Sequence, residues 1–200
     1  MGHLFRAPAA RRPQPLVLQP GDLVAFAGRG PVSTLIQLFT CSRWSHVAVC
    51  CRWGGRLLLV ESTTLSDQPC AILVCPVNGV QAHDPLERID RYPGQVWHCP
   101  LADHERLSDR ESRRLTAFLL ARLGTGYDTR GAIESGTRWW KRRWWARGED
   151  LATLFCSELC SSALEHVRRF PLVNASDFTP AGLIREAVRI GVYQPPRRIK

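Results

Sequence analysis

The stretch Phe155-Cys156-Ser157-Glu158-Leu159 places a cysteine where an amphipathic helix, expected over residues 153–168, begins. Far upstream, Ser45-His46-Val47-Ala48-Val49 opens a short β-rich run. A second such run closes on Val60-Glu61-Ser62. Cysteine at a helix start, histidine on one strand and a carboxylate on the next are the parts of a thiol-dependent acyl-transfer site. The order along the chain is His46, Glu61, Cys156.

The chemistry needs each of these residue types. A free thiol has a pKa of about 8.5, so little of it is thiolate at neutral pH. A helix N-terminus and a neighbouring imidazolium both favour the thiolate. His46 supplies the imidazolium and returns a proton to the leaving group. Glu61 accepts a hydrogen bond from the far ring nitrogen and fixes the tautomer. With Cys156 in the first helical turn, its backbone N–H is free and is expected to help hold an oxyanion. Glu158 in that same turn favours the helix dipole.

The residues between His46 and Glu61 read as a hairpin. Residues 46–51 and 57–61 are β-rich, and Trp53-Gly54-Gly55-Arg56 joins them. His46 starts one strand and Glu61 ends its antiparallel partner, so both lie near the same end of the pair. A slip of one residue would turn one of them away.

Outward from this hairpin, Pro20-Gly21-Asp22 is a turn capped by Asp22, ahead of a strand at residues 23–26. Pro31 starts a helix whose apolar side carries Leu35, Ile36, Leu38 and Phe39. Further strands are expected at residues 71–77 and 95–99, with a helical turn at 84–92 between them. The spacing of Leu115, Phe118, Leu119 and Leu123 predicts a helix over 109–123, with Ser108 as N-cap and Gly124 beyond its end. Thr179-Pro180 begins a last helix reaching about Arg189. Residues 1–19, rich in Arg, Pro and Ala, read as a flexible arm. Residues 20–200 then form a single domain, as 200 residues suit.

The formal charge is +9, and Lys141 and Lys200 are the only lysines, so arginine supplies the excess. Such a charge favours anionic partners. No nucleic-acid-binding motif is present, so no specific nucleic acid is expected. The eight cysteines lack paired Cys-x-x-Cys spacing, which argues against zinc. Cys50, Cys51, Cys75 and Cys99 lie in apolar runs and read as small core residues. No apolar run approaches the roughly 18 residues of a membrane span, and the first residues carry no secretory h-region. A cytoplasmic location is therefore expected, with peripheral membrane contact as an option. That option rests on Trp139, Trp140, Trp144 and Trp145, interleaved with Lys141, Arg142 and Arg143. If helical, they form a cationic amphipathic patch suited to an anionic membrane surface. The same patch suits a lid in which Trp139 and Trp140 contact substrate, and equally a helix whose tryptophans pack while its arginines face water.

Taken together, the chain resembles the permuted branch of the papain-like NlpC superfamily, the YiiX-type cysteine hydrolases. The resemblance rests on Gly21-Asp22-Leu23, Ser45-His46-Val47, Glu61, Gly126-Tyr127-Asp128, Phe155-Cys156-Ser157-Glu158-Leu159 and Thr179-Pro180, over roughly residues 20–190. Papain-like enzymes usually present cysteine before histidine, and here the order is reversed. The Arg/Trp cluster between Gly126 and Cys156 is not a feature of the family. The resemblance implies an α+β, circularly permuted papain-like fold, with an antiparallel sheet packed against the helix that bears the nucleophile. It implies Cys156 as nucleophile, His46 as base and Glu61 as orienting group, with Tyr127 bordering the site and no metal or organic cofactor. The expected function is hydrolysis of an amide bond in a peptide or peptidoglycan-like substrate through a thioacyl intermediate. An acyltransferase or hydrolase acting on acyl lipids is the alternative, and a catalytically silent binding module is a third.

Overall fold

In the computed structural model, the described residues are 16–28, 42–63, 68–126, 151–171 and 178–200. They form an α+β structure around one antiparallel sheet. The strands are β1 (Leu23–Ala27), β2 (His46–Trp53), β3 (Arg56–Thr63), β4 (Gly79–His83), β5 (Gln95–Cys99) and β6 (Arg197–Arg198). The order across the sheet is β4-β3-β2-β1-β5-β6. The helices are α1 (Pro85–Arg91), α2 (Asp109–Leu120), α3 (Leu151–His166) and α4 (Pro180–Arg189).

The central strands are apolar on both sides because both faces of the sheet are covered. Leu23, Ala25, Val47, Val49, Leu58 and Val60 face a cluster shared with Leu115 and Leu119 of α2, Leu159 and Ala163 of α3, and Leu183 of α4. Val24, Phe26, Ala48, Cys50 and Leu59 face the other way, against Ile89 of α1. Leu16 and Leu18, assigned to a flexible arm by the sequence, pack against this second cluster.

Local chemistry sets the connections. Trp53 pairs with Arg56 to close the β2–β3 hairpin. Gly54 and Gly55 between them both have positive φ, 56° and 77°, as a two-residue hairpin turn of the I′ kind requires. Asp84 caps α1 by accepting from the N–H groups of Leu86 and Glu87, with Pro85 in the first turn. Ser108 and Glu111 form a reciprocal capping box at the start of α2. Thr179 caps α4.

The outer strand β4 is engaged on its free side. The N–H of Val80 in β4 donates to Thr125 O at 3.1 Å, and Gly124 N–H donates to Val80 O at 2.9 Å. Gly79 lies so close to this segment, at φ 137°, that a Cβ there would stand 2.2 Å from Thr125 O. On the far side the sheet ends in the exposed Arg197–Arg198 pair.

Several expectations need correction. Residues 71–77 form turns instead of a strand, with Cys70 N–H bonded to Cys75 O and Val74 at φ 54°. Leu73 and Val74 are exposed, so an apolar run alone misled; the strand is the fully buried Gly79–His83. Helix α2 stops at Leu120, and α3 begins at Leu151, two residues earlier than expected. The helix expected from Pro31 lies outside the described residues.

Candidate active site

His46 is the first residue of β2 and Glu61 lies near the end of β3. The register sets Val49 opposite Val60, which puts Glu61 opposite Ala48. His46 and Ala48 share a face, so His46 is the diagonal neighbour of Glu61. His46 Nε2 donates to Glu61 Oε2 at 2.7 Å. The His46 ring is also hydrogen-bonded to the Cys156 side chain. The fold thus brings together three residues separated by 110 positions of sequence.

Burial would by itself lower the pKa of His46, but the negative charge of a Cys156 thiolate and the bonds to Cys156 and Glu61 outweigh it, pushing it up to about 10. Burial works to raise the Glu61 carboxyl, yet His46, His83 and Arg88 hold it well below the usual carboxylate range. The His46 side chain is 15% exposed and that of Glu61 is closed to solvent. Cys156 is fully buried.

Two of the groups around Glu61 were not read from the sequence. Arg88 Nε donates to Glu61 Oε1 at 2.7 Å, and its Nη2 reaches Oε2 at 3.4 Å. His83 Nε2 stands 3.2 Å from Oε1, though it lacks hydrogen-bond geometry. The one available signal was the Asp84-Pro85 helix start, which sets Arg88 on the inner side of a short helix beside β3.

The helix start at Leu151 changes the expected role of the Cys156 backbone. Cys156 stands in the second turn of α3, where an N–H already has a partner four residues back. It is therefore engaged in the helix and is not a free oxyanion donor. Glu158 likewise lies in mid-helix, away from the N-terminal dipole, and burial raises its carboxyl. On the same helix Cys160 is fully buried; burial, then the charges of Cys156 and Glu61, push its thiol well up. Tyr127, Trp139 and Trp140, and with them the rest of the Trp/Arg cluster, lie outside the described residues.

A second buried polar network lies on β1 and β5. Asp22 Oδ2 accepts from His98 Nε2 at 2.8 Å and from Gln19 N–H at 3.0 Å. Its Oδ1 accepts from Leu101 N–H at 3.0 Å and from Arg106 Nη1 at 2.8 Å. Arg197 donates to His98 Nδ1 from Nη2 at 3.1 Å. The turn-capping role expected of Asp22 is real, and it is one bond among four. Among the described residues no group of three or more His, Cys, Asp or Glu is arranged to hold a metal ion, and no helix is long and apolar enough to cross a membrane.

No family model matches the chain, and no curated protein matches it. Five solved chains do. One is the crystal structure of the metalloprotein YiiX from Escherichia coli O157:H7, of the DUF1105 family. The likeness is distant, with a TM-score of 0.49 and 19% identity over 74% of this chain and 66% of that one. The chain spans just under two thirds of the length of YiiX.

Proposed function

We propose that the chain is a cysteine-dependent hydrolase of amide bonds, built on a permuted papain-like fold of the NlpC type. The observation that carries the proposal is His46 held between Glu61 and Cys156, bonded to both. Its substrate is a peptide or a peptidoglycan-like amide.

The proposed reaction follows from the roles of these groups. His46 takes the Cys156 proton, and the sulfur attacks the carbonyl carbon, forming a C–S bond. The tetrahedral intermediate collapses as the C–N bond breaks, and His46 gives its proton to the departing amine. Water then attacks the thioester, His46 removes its proton, and the acid leaves as Cys156 is restored. Glu61 keeps the imidazole in one orientation and offsets the charge it gains. The neighbouring Cys160 is unsuited to this role, since burial and the adjacent negative groups keep it neutral.

The test is the pH dependence of alkylation, located by mass spectrometry, in wild type and His46→Ala. Iodoacetamide is the reagent because it is small and Cys156 is buried. Cys156 is expected to react far faster at pH 6 than the other thiols, and to lose that lead without His46. A Cys156 that reacts no faster than its neighbours would overturn the proposal.

A further inference from the structure

We infer that Arg88 is a positioning residue of this site: its guanidinium fixes the Glu61 carboxylate, and through it the ring of His46. The inference rests on the proposed function for its catalytic meaning and on the geometry alone for the coupling.

Glu61 is wholly buried, so the direction of its carboxylate is set by its neighbours. His46 binds Oε2 from one side, and Arg88 binds Oε1 at 2.7 Å and Oε2 at 3.4 Å from the other. A planar guanidinium that meets both oxygens leaves a carboxylate little freedom to rotate. Lysine, a point charge, would not restrain it in this way.

Arg88 is itself held. It lies on α1, whose start is set by Asp84 and Pro85. Its guanidinium stands 5.5 Å from the ring centre of Phe26 and 5.4 Å from that of Tyr92. Those two rings pack at 4.7 Å, and Phe26 is also 5.6 Å from His46. Phe26 therefore touches both ends of the Arg88–Glu61–His46 chain. An arginine needed only to neutralise a buried acid would not require a stacked setting of this kind; orienting the acid does.

Among the described residues, the charged and titratable groups that act on Glu61 are His46 from β2, His83 from β4, Arg88 from α1 and Cys160 from α3, with Cys156 reached through His46. Gln81 of β4 lies directly opposite Glu61 but turns its amide N–H groups to Thr63 O and Val77 O. Among the described residues, Arg88 is thus the one fixed cation that grips the carboxylate.

The experiment uses the full chain labelled with 15N-histidine, and follows the Nε2–H proton of His46, assigned by its loss in His46→Ala. In wild type this proton is expected to be strongly deshielded and slow to exchange with water. In Arg88→Met exchange should quicken about tenfold or more, the factor that one charged hydrogen bond represents. Arg88→Lys should fall between the two. A merely structural role would lower the melting temperature and leave this proton in place. An exchange rate within about twofold of wild type in a folded Arg88→Met protein would overturn the inference, since a lost charged bond should change it about tenfold. Should that variant not fold, Arg88→Lys decides: faster exchange supports positioning, and an unchanged rate rejects it. The alkylation test stands apart from this. An unreactive wild-type Cys156 beside a released His46 proton would defeat the hydrolase reading and leave the positioning role intact.

Discussion

Asp22 and His98 meet 2.8 Å apart with both side chains sealed from solvent, joining the first strand to the fifth. The two are distant in sequence, and their bond is locked from both ends. Arg106 and two backbone N–H groups hold Asp22, and Arg197 holds His98. Asp22→Ala would leave the partly exposed Arg106 guanidinium, the buried His98 ring N–H and two backbone donors without their acceptor. The expected loss is about 3–5 kcal/mol of unfolding free energy, read from urea denaturation. Arg197→Ala, removing only a contact at the rim, should cost well under half of that.

Glu61→Gln keeps the shape of the side chain and removes its charge. Arg88 is then left as a buried cation without a counter-ion, again a loss of about 3–5 kcal/mol. The His46 ring loses the charge that favours its protonated form. Cys156 alkylation at pH 6 should fall toward the rate of the other buried thiols, and mass spectrometry of the labelled peptide reads this directly.

The pH dependence of stability has a definite sign. His46 has a folded pKa of about 10 against an ordinary 6.5. Its contribution is full below pH 6.5 and is lost as pH rises toward 10. Glu61 is shifted the other way, so its contribution is full above about pH 4.5 and is lost in acid. Stability from this site is therefore greatest between about pH 4.5 and 6.5. The buried thiols Cys50, Cys51, Cys99 and Cys160 add their own loss only above pH 9, their ordinary value. Melting temperatures of wild type and His46→Ala between pH 6.5 and 9 isolate the histidine: the wild type should decline there, and the variant should stay flat.

Gly79 and Gly55 separate crowding from backbone conformation. Both have positive φ, but a Cβ at Gly55 meets open space and one at Gly79 meets the Thr125 carbonyl. Gly55→Ala should cost about 1–2 kcal/mol, the ordinary penalty of a left-handed residue. Gly79→Ala should cost more than that, and a melt showing equal losses would mean that the segment at Thr125 yields freely.

What the sequence made legible was mostly local. The β2–β3 hairpin followed from two β-rich runs around Gly54-Gly55, and Ser108 from its position before a periodic apolar stretch. His46 and Glu61 were paired by counting along that hairpin, since strand alternation carries a side chain's direction over a few residues. Arg88 and His83 around Glu61, and His98 and Arg106 around Asp22, left no comparable trace. Each reaches its carboxylate through a tertiary path, and an arginine in a short helix is ordinarily a solvated residue. The place of Cys156 within α3 was misread because the helix was expected from Thr153, two residues beyond Leu151. The run from Ala71 to Val77 shows the converse: its apolar residues suit a strand, yet after Ala71 N–H reaches Ala82 O of β4 at 2.7 Å the chain turns back on itself.

The two margins of the sheet bear on how copies of this chain meet one another. At β4 the outward backbone is taken up by Gly124 and Thr125, and at the opposite margin stand two adjacent arginines. A neighbouring copy seeking to extend the sheet finds its hydrogen bonds already spent on one side and like charge facing it on the other. Strand-to-strand accretion, the usual route from a β-rich chain to fibrils, is closed off at both ends of the sheet, and concentrated solutions of the folded protein gain colloidal stability from it.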